Sequence, residues 1–251
     1  MPRIARTVIP GVAHHITQRG NNRQDVFFVD DDRQVYLELL HGQCQRYAFA
    51  VTGYCLMTNH VHLIGIPERE DSLAKAIGRT HFLYTQYINK MHNRSGHLWQ
   101  NRYHSCPLDD AHALQALCYT ELNPVSASMV SAPWEYRWSS AAPHCDSGDA
   151  HPVLDMEHWR TLMPATAWRE ILQQFHDDGV TKSLQIHTRT GRPLGSDSFI
   201  SKVESLVGCR LRPLPVGRPR GSKKALSRSH AVRGNAYPTV THITLPVSLS
   251  A

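Results

Sequence analysis

Residues 49–66 read F-A-V-T-G-Y-C-L-M-T-N-H-V-H-L-I-G-I, and this run decides the fold. Phe49 to Met57 is apolar and rich in β-branched and aromatic residues, which predicts a strand. Thr58-Asn59 supplies a tight turn, and His60 to Ile66 returns as the next strand. Successive side chains of a strand point to opposite faces. His60 and His62 therefore share one face, while Val61 turns toward the core.

Working outward, Ala13 to Arg19 reads as a first strand, ended by Gly20-Asn21-Asn22. The acids Asp30-Asp31-Asp32 suit a helix N-terminus. Val35, Leu37, Leu39, Leu40 and Tyr47 follow in a helical segment that runs to about Tyr47. Downstream of the hairpin, Ser72 is the expected cap of a helix with Leu73, Ile77, Phe82, Tyr84 and Ile88 at helical spacing. It ends near Asn93 to Gly96. A strand from Tyr103 to Leu108 is expected next, then a helix from about Ala111 to Leu122, stopped by Asn123-Pro124. The order β-α-β-β-α-β with an added C-terminal helix implies an α+β fold: a ferredoxin-like split βαβ, with an antiparallel sheet and helices on one face.

The 251 residues, 41% hydrophobic and 19% charged, suit one or two globular domains. No apolar run reaches the roughly 20 residues of a membrane span, and Met1 to Arg6 lacks the apolar stretch of a signal peptide. The six cysteines are scattered without a C-x-x-C pair, which argues against a disulfide framework or a cysteine–zinc site and fits a reducing cytoplasm. Charge is uneven. From Ser183 onward, 11 Lys/Arg stand against Asp197 and Glu204, a balance of +9 in a chain of +6, leaving −3 for residues 1–182. A basic tail adds phosphate affinity through counterion release, or is simply a solvated, disordered segment.

Two imidazoles on one strand face make a partial metal site. In a chain with 17 histidines, an H-x-H pair alone describes surface histidines more often. Tyr119 and Asn123 lie at i and i+4 near the end of the helix added after the β-α-β-β-α-β run, hence on one face. Asn123 offers a carbonyl oxygen as a third ligand, and Tyr119 presents a hydroxyl one turn away. A divalent ion would polarise a phosphate, and the phenol, once it loses its proton, would attack it. By pattern alone, Tyr119 also reads as a core tyrosine and Asn123 as a helix cap before Pro124. Trp99, Gln100, Asn101 and Arg102 form a polar-aromatic group suited to unpaired bases, with a plain core role open for Trp99.

Four blocks carry a resemblance: G-Y-C-L-M-T-N-H-V-H-L-I (53–64), G-H-L-W-Q-N-R-Y-H-S (96–105), C-Y-T-E-L-N-P-V-S-A-S-M-V (118–130) and W-E-Y-R-W-S-S (134–140). In this order they resemble the HUH single-tyrosine transposases, and within them the bacterial REP-associated tyrosine transposases, which act on palindromic repeat hairpins. The likeness runs from about Arg6 to Ser140. It implies a ferredoxin-like catalytic domain, His60 and His62 as the metal pair, Asn123 as the third ligand and Tyr119 as the nucleophile. It further implies Mg²⁺ or Mn²⁺, a 5′-phosphotyrosine link and a free 3′-OH. Ser126-Ala127-Ser128 departs from the Arg-Ala-Gly of many relatives, which removes one possible phosphate contact.

The resemblance makes single-stranded DNA and repeat hairpins the expected partners, with DNA transposition as the function and a bacterial cytoplasm or nucleoid as the location. The alternative is a hairpin-binding protein that does not cut. Both a monomer with its tyrosine in cis and a homodimer with the tyrosine in trans occur among relatives. Arg3, Arg6, Arg19, Arg23, Trp99 and Arg102 are candidate DNA contacts. Arg192, Arg218 and Arg220 join them because residues 188–195 and 216–224 share a Gly-Arg-Pro core like that of a minor-groove AT-hook, or of a flexible linker. The expected division is a catalytic domain over residues 1–142, a helical extension over 143–212, and a basic, flexible tail over 213–251.

Overall fold

The computed structural model describes residues 6–177 and 179–213. Four strands form one sheet: β1 (His14–Arg19), β2 (Phe49–Met57), β3 (His60–Pro67) and β4 (His104–Pro107). Their order is β2-β3-β1-β4, and every neighbouring pair is antiparallel. Helices α1 (Asp30–Tyr47) and α2 (Ser72–Met91) make the two crossovers, so the expected ferredoxin-like split βαβ is the observed fold.

Local chemistry explains the boundaries. The Asp32 carboxylate accepts from the backbone N–H groups of Phe28 and Val29, closing the start of α1. Ala48, with φ +50°, turns the chain directly into β2. The cap of α2 differs from expectation. Asp71 occupies the N-cap position, and Ser72 is the first helical residue, its hydroxyl accepting from the Arg69 N–H.

Ile16, Leu56, Val61 and Leu63 share one sheet face, and all are fully buried beneath the crossover helices with Tyr36, Leu40, Ile77 and Tyr84. Each such side chain contributes roughly 1.5–3 kcal/mol by leaving water. The opposite face is covered as well. Helix α3 (Asp110–Ser126) lies across β2 and β3, and α7 (Val180–Thr190) lies along β4 and β1. Gly53 permits the first contact, because a Cβ there would stand 2.2 Å from Leu117 Cδ1 of α3.

Helix α3 does not stop at Asn123-Pro124 but continues to Ser126. Proline lacks only its own N–H, and so close to the C-terminus the loss is confined to one bond. The Ala127 and Met129 N–H groups then bond to the carbonyls of Asn123 and Pro124. Beyond α3 come α4 (Ala141–His144), α5 (Met156–Leu162), α6 (Ala165–Gln174), α7 and α8 (Asp197–Val207). Trp159, Trp168, Leu172 and Leu184 of these helices belong to the same buried cluster as the sheet. None of the described helices is long and apolar enough to cross a membrane.

The first Gly-Arg-Pro is neither an extended hook nor a free linker. Gly191, with φ +73°, caps α7, and the N–H groups of Gly191 and Arg192 bond to the His187 carbonyl. Pro193 presents its carbonyl to His187 Nδ1, and Leu194 makes a parallel bridge to Leu108. The second Gly-Arg-Pro, with Arg218 and Arg220, lies outside the described residues, as do Arg3 and the tail beyond Pro213.

Candidate active site

His60 and His62 project from β3 onto the face that α3 and α7 cover, their ring centroids 4.9 Å apart. Each has its Nδ1 engaged. The Asn59 Oδ1 lies 2.6 Å from His60 Nδ1, and Asn59 is itself oriented by its Nδ2 donating to the Arg23 carbonyl at 3.2 Å. An amide oxygen can only accept, so His60 carries its proton on Nδ1 and keeps a lone pair on Nε2. His62 Nδ1 lies 3.1 Å from His15 Nε2, and His15 Nδ1 lies 2.7 Å from the Thr188 hydroxyl.

Burial holds all three rings neutral. It brings His60 down to about 4, assisted by Arg19, its neighbour across the ladder on β1. His15 falls to about 3 by burial alone. His62 lies well below the ordinary value of 6.5, first through burial and then through His60, His15 and Arg19. Neutral imidazoles whose second nitrogen is already hydrogen-bonded are the form in which histidine binds a cation. Among the described residues no group of three His, Cys, Asp or Glu is placed to hold a metal ion. Two neutral imidazoles on one strand face are a donor pair of the kind that suits a divalent cation.

Tyr119 comes from α3 (Asp110–Ser126), about two turns before its end. Its ring stands edge-on to His62, with centroids 5.4 Å apart, and to His15 at 6.1 Å. The Gln185 amide of α7 donates to the Tyr119 hydroxyl at 3.4 Å. Asn123 turns its Nδ2 onto the Tyr119 carbonyl at 2.7 Å, which leaves Oδ1 as its acceptor. The structure thus brings His60, His62 and Tyr119 together and holds Asn123 against the backbone of its own helix.

The candidate DNA contacts divide by position. Arg19 and Arg23 are exposed beside the His60 end of the sheet, and Arg102 is exposed. A groove of about 460 Å³ is lined by Asn21, His97, Trp99, Gln100, Asn101 and Arg102. It adjoins β1, since the Gln100 N–H bonds to the Arg19 carbonyl. Trp99 is only 8% exposed, and its indole donates to the His81 carbonyl among core aromatics, so most of its ring serves packing. Arg6 is turned inward, its guanidinium 3.8 Å over the Tyr103 ring and bonded to the Tyr103 carbonyl. Arg192 is half-buried just after α7.

Sequence reasoning missed His15, Thr188 and Gln185. The histidine doublet at the start of β1 was visible, but its relation to His62 depends on strand register, which pairs Thr17 with His62 and His15 with Ile64. Nothing in the sequence placed α7 over the sheet.

Residues 9–122 match the family model described as "Transposase IS200 like". The chain is 24% identical over 124 residues to a Haemophilus influenzae protein named "Putative REP-associated tyrosine transposase", covering 45% of this chain and 68% of the other. It also resembles the solved structure of a REP-associated tyrosine transposase bound to a REP hairpin. That match has a TM-score of 0.52 and 17% identity, covering 61% of this chain and 90% of the other, and it supports the shared fold.

Proposed function

We propose that the domain cleaves and rejoins single-stranded DNA beside repeat hairpins, with Tyr119 as the nucleophile. The observation that carries this reading is the edge-on packing of Tyr119 against His62 within one chain. The Tyr119 oxygen, freed of its proton, attacks phosphorus and forms a 5′-phosphotyrosine bond. The bond from phosphorus to the 3′-oxygen breaks, and that oxygen leaves with the electron pair and takes up a proton. A 3′-OH attacking the phosphotyrosine reverses the step, so rejoining needs no external energy.

His60, His62 and Asn123 would hold Mg²⁺ or Mn²⁺, which polarises the phosphate and offsets the developing negative charge. The Gln185 amide, already on the Tyr119 hydroxyl, orients it. Arg19, Arg23 and Arg102, exposed near this end of the sheet, serve phosphate contact and fix the strand's position. Arg6, engaged by Tyr103, holds the N-terminal segment instead.

The test incubates the full chain with an end-labelled hairpin oligonucleotide carrying single-stranded flanks, in the presence of Mn²⁺. A shortened strand and a denaturation-resistant protein–DNA adduct are expected, both lost in Tyr119→Phe while hairpin binding remains. Hairpin binding without cleavage by the wild type replaces this reading with that of a DNA-binding protein. An adduct that persists in Tyr119→Phe removes Tyr119 as the nucleophile.

A further inference from the structure

Helix α7 lies outside the segment that matches the transposase family, yet two of its side chains reach the site. Gln185 and Thr188 are three residues apart, hence on one helix face. The first touches the Tyr119 hydroxyl and the second the His15 ring. Their placement is secured. The Leu108–Leu194 bridge, the His187–Pro193 bond and the Ser196 N–H bond to the Asp109 carboxylate tie the end of α7 to β4 and to the start of α3.

The contacts form a closed chain from the Thr188 hydroxyl through His15 to His62, with 2.7 and 3.1 Å steps. His15, His62 and Thr188 are 1%, 5% and 3% exposed, so water has little access to it. A neutral imidazole has one N–H, which allows the chain only two directions. In one, Thr188 donates to His15 Nδ1, His15 Nε2 donates to His62 Nδ1, and His62 holds its proton on Nε2, where it cannot bind a cation. In the other, His62 Nδ1 donates to His15 Nε2, His15 Nδ1 donates to the Thr188 oxygen, and His62 Nε2 keeps its lone pair. The Thr188 hydrogen then points toward Cys106 Sγ, 3.3 Å away.

We propose that His15 and Thr188 are positioning residues that hold His62 with its proton on Nδ1, making α7 part of the cation site. The proposal rests on the reading of His60 and His62 as ligands. It gives His62 the same arrangement that Asn59 gives His60, with a different partner for each ring. Outer partners of this kind set ring orientation and tautomer, and their loss weakens metal binding about 10- to 100-fold.

Two measurements on the full chain test it. Ring-nitrogen NMR of ¹⁵N-histidine-labelled, metal-free protein reads the His62 tautomer directly and requires no variant of the relay. The expected result is a proton on Nδ1; a proton on Nε2 overturns the proposal. Calorimetric titration with Mn²⁺ then compares wild type, Thr188→Val and Thr188→Ser. Thr188→Val, which keeps the volume and removes the hydroxyl, is expected to raise Kd about tenfold, and Thr188→Ser to restore it. Equal Kd values in wild type and Thr188→Val overturn the proposal while leaving the ligand assignment standing. Wild-type Mn²⁺ binding that survives His60→Ala with His62→Ala overturns the ligand assignment and the proposal together.

Discussion

Tyr119 stands edge-on to His62 of its own chain, with ring centroids 5.4 Å apart. Helix α3 runs over β2 and β3, so the tyrosine reaches the histidine face without a second subunit. For the proposed activity this sets an expectation in cis. A mixture of Tyr119→Phe with the His60→Ala/His62→Ala double variant should form no more adduct than either variant alone. Activity restored on mixing would show that the tyrosine serves a partner's histidines. The Tyr119→Phe protein should melt close to wild type, because the ring contact is retained and only the 3.4 Å bond from Gln185 is lost.

The parts legible in the sequence were those set by local pattern. The hairpin of Phe49–Met57 and His60–Pro67 followed from two apolar runs on either side of the Thr58-Asn59 turn. Helices α1 and α2 followed from their spacing, and the shared face of His60 and His62 from the two-residue period. What depends on pairing between distant segments was not legible. The His15–His62 contact spans 47 positions and the His15–Thr188 contact 173. Pro124 misled for the opposite reason: proline signals a stop, but this near the C-terminus it removes a single backbone bond, and α3 runs on to Ser126.

Glu121 shows the same blindness in the core. Its carboxylate is fully buried and accepts from the Ser140 hydroxyl, His144 Nδ1 at 2.6 Å and the Trp168 indole at 2.8 Å. These bonds join α3 to α4 and α6. Glu121→Leu leaves His144 Nδ1 and the Trp168 indole without an acceptor, while the Ser140 hydroxyl keeps only the Tyr54 carbonyl at 3.3 Å, and a loss of about 3 kcal/mol or more is expected in urea unfolding. Glu121→Gln, which keeps one acceptor oxygen, should lose less. A loss below about 1 kcal/mol in Glu121→Leu would mean that those donors find other partners, since a single hydrogen bond contributes that much.

Acid sensitivity follows from His81. It is buried against Trp99, with its Nε2 3.0 Å from the Tyr36 hydroxyl, and burial pulls it down to about 3 from an ordinary 6.5. Between those values the unfolded chain binds a proton that the folded chain refuses. Stability is therefore complete above about pH 6.5 and declines as pH falls toward 3, at up to about 1.4 kcal/mol per pH unit for each such group. His14, brought to about 4, acts in the same direction. In urea titrations between pH 7 and 5, His81→Gln should show a shallower decline than wild type. Parallel slopes would mean that His81 takes up its proton in the folded chain near pH 6.

Gly53 tests whether the seating of α3 governs the site. A Cβ at this position would lie 2.2 Å from Leu117 Cδ1 and 3.3 Å from the Ser140 hydroxyl, in a buried layer with little room to yield. Leu117 is two residues before Tyr119, so displacement of α3 also moves the phenol relative to His62. Gly53→Ala is expected to cost about 1–3 kcal/mol of stability through overpacking. It should also slow adduct formation by about tenfold or more, since an error of 1 Å in a reacting group has effects of that order. Adding Leu117→Ala opens the space that the new methyl group needs. If helix position is the cause, the double variant recovers the rate more fully than it recovers stability, because it still lacks the buried leucine. If the rate stays low after that space is opened, Gly53 affects the reaction through the β2 backbone and not through α3.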